Sequence, residues 1–191
     1  AEILKANNLQ RGRTCVVELG ANIGTQSVYL LKTGLFDRLL AVEAHPDNHL
    51  LLQRNLIQNG FADRATAVHV AVAPENGSLE LFTTEANQGG HSAAFKPKGA
   101  SSILVPAHTI TSIIESAGFA VQDIGFFWID LEGMEFEIVR AITETIGTDV
   151  PILLEFSPRF YGPEKTATFA AFLTDHFQYF VKVPFEGAKS K

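Results

Sequence analysis

The chain is poor in cysteine and in positive charge, and it contains no long apolar run. One cysteine among 191 residues, Cys15, cannot close an intrachain disulfide. It stands at the start of an apolar segment and reads as a small core residue, in keeping with a reducing compartment and an expected cytoplasmic location. Lys and Arg number 15 against 21 Asp and Glu, giving a formal net charge of -6, and no basic run occurs. That balance carries no electrostatic footprint for nucleic acid or for an anionic membrane. No apolar stretch is long enough to span a bilayer. The opening residues, Ala1 to Lys5, show neither an initiating Met nor a charged-then-apolar leader, so a processed or excised chain is expected. No repeat or linker divides the sequence, and a single domain over residues 1–191 is expected.

What is present is a globular composition, 46% hydrophobic, arranged as alternating strand-like and helix-like patterns. Apolar runs at Thr14 to Leu19, Leu39 to Glu43, Ala67 to Val72, Phe126 to Asp130 and Val150 to Phe156 read as buried strands. A shorter strand is expected over Ser78 to Thr83 after the Asn76-Gly77 turn, and a last one over Tyr179 to Val183. Helical spacing covers Gly24 to Lys32, Pro46 or Asp47 to Asn59, Thr109 to Ala117, Met134 to Ile142 and Lys165 to His176. Between them, Glu85 to Ser102 is rich in Gly, Ser, Ala, Asn and Lys and reads as a long loop that covers a binding site. Alternating strands and helices give an α/β fold, a Rossmann-like doubly wound and mostly parallel sheet with helices on both faces. Ligands in such sheets bind beyond the carboxyl ends of the strands.

The segment Glu18-Leu19-Gly20-Ala21-Asn22-Ile23-Gly24 ends the first strand in a glycine turn. A phosphate loop of the Gly-Lys-Ser/Thr kind is excluded, because Thr25 and Gln26 follow Gly24. A dinucleotide fingerprint is weakened, because Asn22 replaces the second glycine and the third falls one position early. The remaining pattern suits a cationic nucleoside without phosphate. Glu18 matches an ammonium group, the glycines admit close backbone approach, and Glu43 at the tip of the second strand can accept from vicinal ribose hydroxyls. S-adenosylmethionine presents those groups. An NAD(P)-binding oxidoreductase and a non-catalytic cofactor-binding scaffold remain as alternatives. A base-directed nucleic-acid methyltransferase is disfavoured by the acidic balance and by the lack of an Asn/Asp-Pro-Pro-aromatic motif.

Phe127-Trp128-Ile129-Asp130-Leu131-Glu132-Gly133-Met134-Glu135, with the glycine turn and Pro151-Ile152-Leu153-Leu154-Glu155-Phe156, resembles the FkbM-type methyltransferase family. The resemblance implies a Rossmann-like methyltransferase fold, S-adenosylmethionine as cofactor, and O-methylation of hydroxyls on sugars, glycans or natural products. It implies that Glu18, Gly20, Asn22 and Gly24 line the methionine half of the cofactor and that Glu43 holds the ribose. Ala71 and Val72 would flank the adenine, and Asp130 would stand beside the sulfonium and the acceptor. Trp128 replaces a lysine common in that family, and Val70-Ala71-Val72-Ala73 offers the adenine no acid. Asp130, Glu132 and Glu155 are the catalytic candidates, since an alcohol needs a base within hydrogen-bond reach. His91, in the glycine-rich loop, is a weaker candidate base. No metal site is expected, the acids reading as partners of a helix N-terminus.

Overall fold

A computed structural model describes residues 11–84, 87–94, 96 and 99–183, with residues 84 and 87–90 described by their backbone alone. Five parallel strands form the main sheet: β1 (Cys15–Leu19), β2 (Arg38–Glu43), β3 (Ala65–His69), β8 (Ile124–Ile129) and β9 (Ile152–Leu154). Their spatial order is β3-β2-β1-β8-β9. The chain winds outward from β1 through β2 to β3 and later returns to the other side of β1, so the winding reverses between β1 and β8. β1 is buried along its whole length, pairing with Leu39 to Val42 on one side and Phe126 to Ile129 on the other. A strand covered on both faces reads as a continuous apolar run, which is why its pattern does not alternate.

Two helical layers cover the sheet. Helices α1 (Thr25–Lys32) and α2 (Pro46–Gln58) bring Leu30, Leu31, Leu52 and Leu56 against Val16, Leu39, Ala41 and Phe126. On the opposite face, α3 (Ile110–Ser116), α4 (Glu135–Thr145) and α5 (Gly162–His176) bring Ile113, Ile138, Ile142 and Phe169 against Val17, Leu40 and Phe127. Adjacent strand residues therefore serve opposite layers, as the two-residue strand period requires. The single cysteine, Cys15, is buried at the start of β1. No helix among the described residues is long and apolar enough to cross a membrane.

The structure differs from the sequence reading at four places. The expected third strand divides at Val70, whose amide donates to the Glu43 carbonyl at 3.1 Å. The chain there leaves β3, and β4 (Ala71–Val72) pairs with β7 (Ser101–His108) in a second sheet. The expected loop over Glu85 to Ser102 contains β6 (Asn87–Ser92) and the start of β7, both antiparallel to β5 (Gly77–Thr84). One face of this sheet is solvated, so Val105 and Ala107 turn inward while Leu104 and Pro106 turn outward. The expected strand over Val150 to Phe156 shortens to β9. Residues 179–183, expected as a strand, form none, and Tyr179, Phe180, Val181 and Val183 are exposed.

Candidate functional site

The carboxyl ends of β1, β2 and β8 open into a cleft of about 680 Å³, part of it open to solvent. Gly20, Asn22, Glu43, Ala71, Val72, Asp130 and Glu132 line it, together with Ala44, Asn48, His91 and Met134. Most of the residues named from the sequence thus meet at one crevice, at the reversal of the winding. Glu18, Gly24 and Glu155 do not form its lining.

Glu43 is anchored in the cleft wall by backbone amides. It is only 7% exposed, and each carboxylate oxygen accepts a backbone amide: Asn22 N–H at 2.7 Å and His45 N–H at 2.8 Å. A carboxylate has about four acceptor sites, so capacity remains for a ligand donor. Asn22 reaches this position with a left-handed backbone, φ 51°. Burial raises the Glu43 carboxyl above the ordinary carboxylate range, with the amides of His45, Asn22 and Ala44 and the nearby His69 opposing it.

Glu18 lies behind the cleft. It is 1% exposed, and the Ser27 hydroxyl on α1 donates to it. Burial pushes its carboxyl up to about 8, with Glu43 and Asp130 adding repulsion against the opposing Ser27 bond. The two glycines serve different ends. A Cβ on Gly20 would stand 1.9 Å from the Asp130 carbonyl oxygen, whereas one on Gly24 would meet the Leu52 side chain at 2.7 Å. Gly20 therefore lets the β1 and β8 tips close together, and Gly24 lets α2 pack beneath the turn.

The turn after β8 is held from below. Glu135, at the start of α4, is 1% exposed. One of its oxygens accepts the Leu131 amide at 2.9 Å; the other accepts the Gly133 amide at 3.0 Å and the Tyr161 hydroxyl. Glu132 sits between those amides with φ 49°, a left-handed conformation unusual for glutamate. Asp130, Glu132 and Glu155 bring carboxylate oxygens within 4.8 Å of one another. The Arg159 guanidinium lies among them, 3.4 Å from Glu132 and 4.0 Å from Glu155. The protein packed about Asp130 pushes its carboxyl up to about 6, with Glu155 and Glu135 adding repulsion and Arg159 opposing it.

A sequence model described as the methyltransferase FkbM domain matches residues 18–181. The chain belongs to the FkbM methyltransferase family. Among solved structures, the methyltransferase FkbM from Methylobacillus flagellatus KT is similar at 20% identity with a TM-score of 0.53, over 84% of this chain. The chain spans 37% of that protein's length. The cofactor-bound Rv0187 from MTB is similar at 13% identity with a TM-score of 0.50, over 90% of this chain and 63% of that one. Both likenesses are likenesses of fold. A comparison with curated proteins found no match.

Within this FkbM-family chain, sequence reasoning assigned no role to Ser27, Glu135, Arg159 or Tyr161. Glu135 had a visible signal, an acid two residues after a glycine at a helix start, where free amides await an acceptor. Ser27 and Tyr161 had none, since their partners are 9 and 26 residues away. Trp128, half-buried, packs with Leu153 against the layer formed by α1 and α2.

Proposed function

We propose that this chain is an S-adenosylmethionine-dependent methyltransferase that methylates a hydroxyl of a sugar, glycan or natural-product acceptor. The observation that carries the cofactor reading is Glu43, a carboxylate buried at the tip of β2 that lines the cleft with acceptor capacity left for ribose hydroxyls. The chemistry of the donor set supports the same ligand. Burial makes Glu18 costly to ionise in the empty cleft, and an approaching ammonium would offset that cost. Gly20 and Asn22 would pass the methionine half beneath Glu18, with Gly24 supporting the turn, and Ala71 and Val72 would flank the base. When bound, the cofactor supplies an electrophilic methyl group.

The residues of the chain then have separable tasks. Most of the rate gain would come from holding the acceptor oxygen in line, which needs a shaped cleft more than charge stabilisation. Asp130, at the edge of the same cleft, would take the acceptor's proton at its carboxylate. Glu132 and Glu155 would orient the acceptor, and Glu155 would tune Asp130 by its charge, with Arg159 limiting the repulsion. The reading takes the chain as one catalytic unit in the cytoplasm, supported by a single sheet bearing both helical layers and by one buried cysteine.

Calorimetric titration tests the cofactor. S-adenosylmethionine and S-adenosylhomocysteine should bind, and NADH should not. Glu43→Ala should weaken binding by about tenfold or more, because two charge-assisted hydrogen bonds are lost. Unchanged affinity in that variant, or binding of NADH alone, would overturn the assignment. Mass spectrometry of candidate glycans and hydroxylated natural products incubated with the protein tests the acceptor class.

A further inference from the structure

The segment from His91 to Ala94 crosses the cleft mouth, and consecutive residues grip opposite walls. His91 stacks its ring on His45, just past the tip of β2, with centroids 4.2 Å apart and planes 18° from parallel. Ser92 faces the other way, as the strand period dictates. Its hydroxyl donates to the Glu132 carbonyl at 2.7 Å, beyond the tip of β8, and accepts the Ala94 amide at 3.1 Å. Ala94 closes the far end, its Cβ 3.1 Å from where a Cβ on Gly133 would lie. His91 and Ala93 both line the cleft.

The His45 side of this crossing is incomplete in its hydrogen bonding. The Nδ1 atoms of His45 and His91 are both buried, and neither finds a hydrogen-bond partner among the described residues. Buried polar atoms without partners oppose the arrangement that buries them. The closed arrangement is thus held by ring contact and by the Ser92 bond while two nitrogens stand unsatisfied.

We propose that residues 91–94 form a strap that must lift to admit or release the nucleoside, with the His45–His91 stack as a clasp that protonation opens. The proposal rests on the nucleoside reading of the cleft. A lifted strap frees both Nδ1 atoms for water, and a strap closed over a ligand can offer His91 to it. Protonating both rings would set two like charges 4.2 Å apart in a partly desolvated place. Burial already holds both imidazoles below their ordinary range, so they are neutral at pH 7 and the clasp is closed there. The other groups facing the pair are Asp47, which favours a charged His45, and His69, which disfavours it. Glu43, two residues from His45, binds the His45 amide, and His49 stacks on His69.

The test measures S-adenosylhomocysteine dissociation by stopped flow between pH 5 and 8, in the parent protein and in His91→Phe and His91→Ala. This neutral thioether avoids any charge effect on a sulfonium. The parent should release it at least tenfold faster at pH 5 than at pH 7.5. His91→Phe keeps a ring for stacking and cannot be protonated, so its release should lose the histidine part of that pH dependence and keep only the part that Glu18 imposes. His91→Ala should release fast at both pH values. An unaltered pH dependence in His91→Phe, or slow release from His91→Ala, overturns the clasp. Hydrogen exchange at the Ala94 amide, measured without ligand and expressed as protection relative to the intrinsic rate at each pH, gives an independent readout, and that protection should fall in acid in the parent alone. Absence of any binding by the parent defeats the nucleoside reading, and the exchange result then decides the clasp by itself.

Discussion

The backbone of Gly20 passes so close to that of Asp130 that a methyl group on Gly20 would stand 1.9 Å from the Asp130 carbonyl oxygen. The same contact aligns the two tips, since the Asp130 amide donates to the Leu19 carbonyl at 3.0 Å. The proposed ribose side and the proposed reaction side of the cleft are therefore set by one crossing of two strands. Gly20→Ala meets both this clash and a φ of 83°. It should destabilise the protein by about 3 kcal/mol or more, roughly 6–12 °C in Tm for a chain of this size. Gly34→Ala has φ 69° but nothing within 4 Å of the added carbon, so it isolates the backbone strain and should cost about 1 kcal/mol. Thermal denaturation of the two variants checks the difference, and equal losses would contradict the steric account.

Glu135 is expected to govern activity without touching a ligand. Glu135→Ala leaves the Leu131 and Gly133 amides and the Tyr161 hydroxyl without their acceptor. The cost should be about 3 kcal/mol or more, and the turn that presents Asp130 and Glu132 should lose its shape. Tyr161→Phe removes one of those bonds and keeps the ring, so about 1 kcal/mol is expected with the turn intact. A positioning role predicts that Glu135→Gln lowers kcat more than it weakens cofactor binding, because an amide side chain offers one acceptor oxygen where the two backbone amides need one each. Equal effects of Glu135→Ala and Tyr161→Phe on kcat would argue that the turn holds itself.

Much of this frame was legible in the primary structure, for physical reasons that differ by element. Strands β1, β2 and β8 are buried on both faces, and such strands must be continuous apolar runs. The glycine turn was legible because Gly20 cannot be replaced at that crossing, and Glu43 because an acid after a buried run is costly without a task. The second sheet was not legible. Its β6 is Asn87-Gln88-Gly89-Gly90-His91-Ser92, a composition that suits a turn, and it forms a strand because β5 supplies partners. The opposite error occurred at Tyr179 to Val183, whose aromatic and β-branched residues suit a strand that no neighbour pairs among the described residues. Propensity there describes what a segment tolerates, and pairing decides what it becomes. Ser27 and Tyr161 were invisible for a related reason, since each acquires its role from a carboxylate brought to it by folding.

Glu18 is expected to link ligand binding to protons. Its carboxyl is raised from 4.5 to about 8, so the protonated form is the one the fold favours. A group raised in this way contributes stability fully below its unfolded value, and that contribution is lost as pH rises through about 8. The ligand-free protein should therefore lose stability between about pH 5 and pH 8 on this account. A ligand ammonium beside Glu18 would reverse the preference and ionise it, so binding near pH 7 should release a proton. Titration of S-adenosylmethionine in two buffers of different ionisation enthalpy should show close to one proton released at pH 7 and little at pH 9. Ser27→Ala removes the bond that opposes the shift, and its binding should weaken more at pH 7 than at pH 9. A heat of binding independent of buffer at pH 7 would place the ammonium elsewhere.

Asp130 makes the most direct prediction about turnover. A base must be ionised to accept a proton, and the Asp130 carboxyl is raised from 3.8 to about 6 by its surroundings. The rate should therefore climb as pH rises through about 6 and level off above it, provided the acceptor does not titrate in that range. Asp130→Asn removes the base while keeping the volume, and should lower kcat by about a hundredfold or more with a much smaller change in cofactor affinity. Arg159→Ala removes the cation that limits repulsion among Asp130, Glu132 and Glu155, so it should move the inflection to higher pH without abolishing turnover. The two variants separate the roles, one flattening the pH profile and the other displacing it. A profile unchanged by Arg159→Ala, with Asp130→Asn near parental activity, would leave in-line placement as the source of catalysis and take the proton to another acceptor.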